Sequence, residues 1–373
     1  MSCDYIALAL DGVQALTPYQ PGKPIEELER ELGVSNTLKL ASNENPLGPS
    51  PKALAAIAGE LDGLALYPDG ACFALKAALS AHLGVAPQQI TLGNGSNDVL
   101  ELIARAYLGP GRSAIYSEHA FAVYPIVTQA VGARGLVGKA NPPDHAQPYG
   151  HNLEAMCRLV DLDTRVMFIA NPNNPTGTWL TREALDFFLK GVPEDVLVVI
   201  DEAYCEYVDI PEYPNALEWV DRYPNLIVTR TFSKIYGLAG LRVGYAVSQP
   251  QVADVLNRVR QPFNVNTLAQ VAAVAALGDA EHVRRSAELN RAGLEQLADA
   301  FEARGLDYIP SVGNFLTVDV GREAKPVYEA LLREAVIVRP VANYGLPEHL
   351  RITVGTAEQN ARVIAALDEV LGR

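Results

Sequence analysis

Residues Val196, Leu197, Val198, Val199 and Ile200 form an unbroken apolar run, with none of the polar alternation that marks a strand with one wet face. A strand of that kind must be covered on both sides, and a parallel sheet between layers of helices supplies both covers. The surrounding sequence repeats the theme. Strand-like runs at 89–92, 113–116, 166–170, 226–229 and 243–247 are interleaved with helical patterns at 97–107, 123–131 and 182–189. Past about residue 250 the texture changes. Val283, Ala287, Leu294, Leu297 and Phe301 recur at helical spacing, and short strands and helices follow to the end. The pattern predicts an α/β chain, with a large domain built on a mostly parallel sheet flanked by helices and a smaller α+β C-terminal domain. The divisions expected are an arm at 1–45 packing on the small domain or a partner, a large domain at 46–265, and a small domain at 266–373.

Charge and cysteine usage narrow the function classes. Lys and Arg number 30 against 44 Asp and Glu, a net charge of −14 over 373 residues. Such a surface repels nucleic acid and anionic membranes, so anionic small ligands are expected only where arginines cluster. Cys3, Cys72, Cys157 and Cys205 lie far apart with no CxxC pair, and the six His show no HExxH spacing. No metal centre and no disulfide framework are expected, and a reducing cytoplasm is the expected compartment. The apolar runs are too short to span a membrane. Asp4 and Asp11 flank a short apolar patch without a basic start, unlike a secretory signal.

Four segments fall at the ends of expected strands, where open parallel sheets bind ligands. The first runs from Gly93 to Asp98 and offers a helix start whose free N–H groups suit a phosphate. Asp98 stands where a dinucleotide fingerprint needs its third glycine, and capping of a helix by Ser96 explains the segment as well. The second, Asn171 to Gly177, reads either as a tight turn or as a ligand loop. In the third, Asp201 ends the most apolar strand; it either caps a helix or faces a cationic ligand atom. In the fourth, Lys234 lies near Leu238 and Leu241, where desolvation would make its amine a better nucleophile toward carbonyls. Most lysines, however, are solvated surface groups. Ser233 and Arg242 can together hold a phosphate.

In this order, NPNNPTG at 171–177, DEAY at 201–204 and TFSKIYGLAGLRVGY at 231–245 resemble the pyridoxal-phosphate aminotransferases of fold type I, over nearly the whole chain. Within the class-II aminotransferases the chain is most similar to the histidinol-phosphate aminotransferases. The residues that carry this are LTPYQPGK at 16–23, LASNENPLGPSP at 40–51, YPDG at 67–70, NF at 314–315, IVRP at 337–340 and LRITVGT at 350–356.

The resemblance implies pyridoxal 5′-phosphate as cofactor, joined to Lys234 as an aldimine. It implies Asp201 on the pyridine nitrogen, Asn174 and Tyr204 on the ring hydroxyl, and Phe121 stacked on the ring. It implies Ser96, Asn97, Ser233 and Arg242 on the cofactor phosphate, with Thr231 assisting, and Tyr67 reaching that phosphate from the second subunit of a homodimer. Lys234, Asp201, Tyr204 and Asn174 form the implied catalytic set, and Tyr19, Asn43, Arg339 and Arg351 the implied substrate contacts. The implied reaction is ping-pong amino transfer from L-histidinol phosphate to 2-oxoglutarate, giving imidazole acetol phosphate and L-glutamate in histidine biosynthesis. Arg351 also matches the arginine that pairs with substrate carboxylates across aminotransferases, so an aromatic amino-acid aminotransferase is the near alternative. Threonine-phosphate decarboxylase, which shares fold and substrate chemistry, is a further one. A cofactor-binding regulatory module and a nicotinamide-dependent dehydrogenase are disfavoured, the first by the lack of a basic patch and the second by the missing glycine.

Overall fold

Seven strands form the central sheet, in the order Ile90–Gly93, Gly244–Val247, Leu226–Thr231, Leu197–Asp201, Thr164–Ala170, Ser113–Ser117 and Arg134–Gly138. Gly244–Val247 runs antiparallel to both its neighbours; the other pairs are parallel. The structure is a computed structural model and describes residues 3–372; Met1, Ser2 and Arg373, at the outer ends of the expected arm and small domain, lie outside the described residues.

The apolar run behaves as its composition demands. Val198 and Ile200 enter one core with Met167 and Trp219, while Val199 enters the core on the opposite face with Phe168 and Tyr124. All three valine and isoleucine side chains are fully buried, and each such burial contributes about 1.5–3 kcal/mol. The edge strand Arg134–Gly138, which the sequence patterns did not predict, is mostly exposed and carries glycine at both Gly135 and Gly138.

A second sheet, fully antiparallel, has the order Arg339–Pro340, His349–Thr353, Phe315–Asp319 and Tyr308–Ile309. Leu316, Val318, Leu350 and Ile352 of this sheet pack with Leu297 and Phe301 of helix Ala280–Glu302 and Val363 and Leu367 of helix Ala357–Leu371. The arm adds a short strand, Leu38–Lys39, parallel to Val336–Ile337. Packing passes from one core to the other later than residue 266. Helix Thr267–Leu277 buries Ala269, Ala272, Ala273 and Ala276 in the large-sheet core, and Val283 and Ala287 still lean on it, whereas Leu289 and Leu294 belong with the small sheet. The change falls within helix Ala280–Glu302, while the small alanines of helix Thr267–Leu277 let it pack closely against helices Pro51–Gly59 and Phe73–Leu83. Among the described residues, no helix is long and apolar enough to cross a membrane.

Candidate active site

Ala170, Asp201 and Thr231 are the last residues of three parallel strands, and all three line one cavity of about 250 Å³. The cavity also collects Lys234, Tyr204, Asn174, Ser96, Asn97, Phe121, Ser233, Arg242, Tyr19, Asn43, Arg339 and Arg351. Of the site residues expected from sequence, Tyr67 alone lies elsewhere. It is 83% exposed and stacks on Phe263 at 4.8 Å, and Leu61, Leu64, Leu66 and Phe73, near it in sequence, are exposed as well.

Lys234 sits in the turn after strand Leu226–Thr231, between the fully buried Phe232 and Ile235. Its Nζ donates to the Ser42 carbonyl at 3.0 Å. Burial, and then the Arg351 guanidinium, bring its pKa down to about 8. The amine is therefore far more nucleophilic at neutral pH than a surface lysine. Its Nζ stands 5.7 Å from the centre of the Tyr204 ring. The Tyr204 hydroxyl accepts from Asn43 Nδ2 at 2.9 Å, and burial pushes the phenol up to about 12.

Asp201 Oδ2 accepts from the Tyr124 hydroxyl at 2.8 Å, while its buried Oδ1 has no hydrogen-bond partner. Burial raises the Asp201 pKa, opposed first by the Tyr124 bond and then by the nearby Thr229 hydroxyl and Ala203 N–H. A buried carboxylate oxygen left single is costly, and a cationic N–H facing it relieves that cost. The protonated ring nitrogen of the implied cofactor is such a group. Tyr124 carries little signal in the sequence. Its one trace there is a phenol in the otherwise apolar start of helix Val123–Ala130, which needs a partner once buried.

At the other end of the cavity, helix Ser96–Tyr107 starts from Gly95, which has a φ of +86° and occupies the cap position; Ser96 is the first helical residue and not the cap. A Cβ on Gly95 would lie 2.4 Å from Arg242 Nη2, and one on Gly244 would lie 2.4 Å from the Ser96 nitrogen. Two absent side chains thus let a guanidinium and a helix N-terminus close on one space beside Ser233 and Thr231. That combination fits a phosphate group.

The 171–177 loop is a built structure and not a loose turn. Asn173 Nδ2 donates to the His119 carbonyl at 3.0 Å and to Thr176 Oγ1 at 2.8 Å. Thr317 of the small sheet donates to the Pro175 carbonyl at 2.5 Å. Asn174 Oδ1 accepts from Arg351 Nη1. Phe121 meets Tyr124 edge-on at 5.8 Å.

Arg339 and Arg351 are cross-strand partners on adjacent antiparallel strands, so both side chains project from one face. Arg351 Nη2 also donates to the Ala41 carbonyl at 2.6 Å, and its buried Nε has no partner. Burial lowers its pKa, and the neighbouring phenols oppose this. Arg339 Nη2 donates to the Gln20 carbonyl at 2.7 Å, and its guanidinium lies 5.6 Å from the Tyr19 ring, which ties the arm to the cavity mouth. The paired arginines form an anion site in the same cavity as Lys234. Together the cavity offers an amine nucleophile, a buried carboxylate, a phosphate cradle and a two-arginine anion site.

The family described as aminotransferase class I and II matches residues 35–367. The chain belongs to this family. It is 60% identical to histidinol-phosphate aminotransferase 2 of Pseudomonas fluorescens Pf-5, over 100% of both chains. It is also 60% identical to histidinol-phosphate aminotransferase 2 of Pseudomonas aeruginosa PAO1, over 99% of each. The crystal structure of histidinol-phosphate aminotransferase from Sinorhizobium meliloti in complex with pyridoxal-5′-phosphate superposes with a TM-score of 0.89 at 29% identity, covering 97% of each chain. Aspartate aminotransferase from Thermus thermophilus shares the fold at 21% identity with a TM-score of 0.83.

Proposed function

We propose that the chain is a pyridoxal-phosphate-dependent aminotransferase that moves the amino group of L-histidinol phosphate to 2-oxoglutarate, in histidine biosynthesis. The observation that carries this reading is the Arg339–Arg351 pair, which shares one cavity with the buried Lys234 and is backed by relatives that match end to end. Two arginines suit a phosphate monoester, whose charge approaches −2 at neutral pH.

In this reading Asp201 faces the cofactor's ring nitrogen, Asn174 and Tyr204 its ring oxygen, and Phe121 its face. Ser96, Asn97, Thr231, Ser233 and Arg242 hold its phosphate. When bound, pyridoxal phosphate supplies an electron sink for the negative charge left at the substrate's Cα. Lys234 holds the cofactor between turnovers and takes up the Cα proton, a role for which an amine with a pKa near 8 is suited. Tyr19, Asn43, Arg339 and Arg351 orient the substrate. Arg351 then receives the carboxylate of the 2-oxo acid in the second half-reaction, since its planar fork serves either anion.

The active unit in this reading is a homodimer. The exposed apolar side chains Leu64, Leu66, Tyr67, Phe73 and Phe263, four of them within ten residues of each other in sequence and Phe263 stacked on Tyr67, support burial against a second copy. Tyr67 would then reach the partner's cofactor phosphate. We also place the enzyme in the cytoplasm and divide it into an arm at 1–45, a large domain and a small domain that meet in helix Ala280–Glu302.

The test is a single-turnover spectrum. The cofactor-loaded protein is mixed with L-histidinol phosphate, and separately with phenylalanine, without any 2-oxo acid. Fast loss of the bound cofactor's visible absorption with the phosphate, and much slower loss with phenylalanine, is expected. Equal rates would make it an aromatic amino-acid aminotransferase.

A further inference from the structure

One charged side chain on the cavity wall, Glu44, contacts neither the cofactor site nor the two-arginine anion site in the reading above. Glu44 lines the cavity with Asp201, Lys234, Arg242, Arg339 and Arg351. Asp201 is buried against Tyr124, and the four cations are taken up by the reacting carbon and the two anionic groups. A second carboxylate in a site for a phosphate ester weakens binding through like-charge repulsion unless the substrate brings it a hydrogen-bond donor.

The position of Glu44 is fixed by its neighbours. Asn43 holds a left-handed φ of +57°. Its N–H donates to Thr353 Oγ1 at 3.0 Å, and its carbonyl accepts from Asn314 Nδ2 at 3.0 Å. Its side chain donates to Tyr204, and the carbonyl of Ser42 receives Lys234. A bend pinned on four sides delivers Glu44 to the wall, close enough to Lys234 to favour the ammonium form. Glu44 Oε1 accepts from Lys39 Nζ at 3.2 Å. Among the described residues its Oε2 has no hydrogen-bond partner, and the Glu44 side chain is 46% exposed.

We propose that Glu44 reads the imidazole ring of the substrate, accepting a hydrogen bond from a ring N–H, and so sets the preference for imidazole over phenyl side chains. This rests on the L-histidinol phosphate reading above. With the reacting carbon at Lys234 and the phosphate at Arg339 and Arg351, the ring is the remaining part of that substrate, and it carries the donor that the carboxylate lacks. A phenyl ring covers the carboxylate without bonding it, and a site left with an unpaired polar group rejects its ligand strongly. Lys39 balances part of the charge from outside the cavity.

The experiment compares kcat/KM for L-histidinol phosphate and for its phenyl analogue, 2-amino-3-phenylpropyl phosphate. It uses the holoenzyme and its Glu44→Ala, Glu44→Gln and Lys39→Met variants. Glu44→Ala is expected to lower the imidazole-over-phenyl ratio at least tenfold, about 1.4 kcal/mol, through loss on the imidazole substrate. Glu44→Gln keeps an accepting carbonyl and the same shape, so it should fall between wild type and Glu44→Ala; it also serves if the alanine variant fails to fold. Lys39→Met should keep the ratio within about twofold, because the ion pair is not what reads the ring. A wild-type preference that survives Glu44→Ala and Glu44→Gln, or an equal loss on both substrates, would overturn the assignment of Glu44 alone. A wild-type enzyme with no preference would instead overturn the substrate reading and this inference with it.

Discussion

The hydroxyl of Tyr124, in helix Val123–Ala130, donates to Asp201 Oδ2 at 2.8 Å. The bond holds one carboxylate oxygen so that the other, Oδ1, is left for a ligand. It also opposes the burial that raises the Asp201 pKa. Tyr124 is thus a positioning residue for the carboxylate proposed to meet the cofactor ring. Hydrogen bonds to charged groups are worth about 1.5–3 kcal/mol. Tyr124→Phe should therefore weaken retention of pyridoxal phosphate by roughly 10–100-fold, measured as its dissociation constant by absorbance titration. An unchanged constant would show that Asp201 is oriented without the phenol.

Gly244 offers a sharper test of the phosphate cradle, because the clash there is with backbone. A Cβ at this position would lie 2.4 Å from the Ser96 nitrogen and 3.0 Å from the Arg230 carbonyl. Neither atom belongs to a side chain that could swing away. Gly244→Ala should push the start of helix Ser96–Tyr107 outward and weaken binding of pyridoxal phosphate about tenfold or more. Pyridoxal without its phosphate should lose far less, and a matching loss for both would mean that the substitution acts on the sheet and not on the cradle.

What the sequence disclosed and what it hid have physical causes. The central strands were legible because burial on both faces leaves unbroken apolar runs, as at Val198, Val199 and Ile200. The edge strand Arg134–Gly138 was not, since an exposed strand with two glycines carries no apolar pattern. Helix Thr267–Leu277 hid its allegiance for a similar reason. Its alanines mark a tight contact but do not say with which sheet. Lys234, Asp201 and the 171–177 loop could be read because each follows a recognisable strand. Tyr124 and Glu44 could not, because their roles depend on partners 77 residues away in the first case and on the cavity wall as a whole in the second.

The carboxylate next to Asp201 serves the fold. Glu202 is fully buried and takes both Arg230 Nε, at 2.9 Å, and Arg230 Nη2, at 2.6 Å, on Oε2, while its Oε1 accepts from the Ala216 N–H at 2.9 Å. Breaking a buried pair by removing one partner leaves an uncompensated charge and costs about 3–5 kcal/mol. Glu202→Ala should lower the unfolding free energy by that order in a urea titration. A loss below about 1 kcal/mol would mean that water or a neighbouring group replaces the carboxylate.

The lowered pKa of Lys234 makes the rate of cofactor capture depend on pH in a definite direction. Burial first, and then the Arg351 and Arg242 guanidiniums, disfavour the ammonium and bring the pKa to about 8, from 10.5 for a free lysine, against the opposing carboxylates of Glu44 and Asp201. Only the neutral amine attacks the aldehyde carbon of pyridoxal phosphate. In the cofactor-free protein at pH 7, about a tenth of Lys234 is neutral; above pH 8 the neutral form predominates. The rate of reconstitution should thus rise roughly tenfold between pH 6 and pH 7, bend near 8, and level off above 9. Arg351→Met removes the larger of the two guanidinium contributions to the shift, so its bend should move toward higher pH. Stopped-flow absorbance against pH reads both profiles. A bend near 10 in the wild type would return Lys234 to the class of ordinary solvated lysines, and a bend that stays in place in Arg351→Met would leave burial and Arg242 as the causes of the shift.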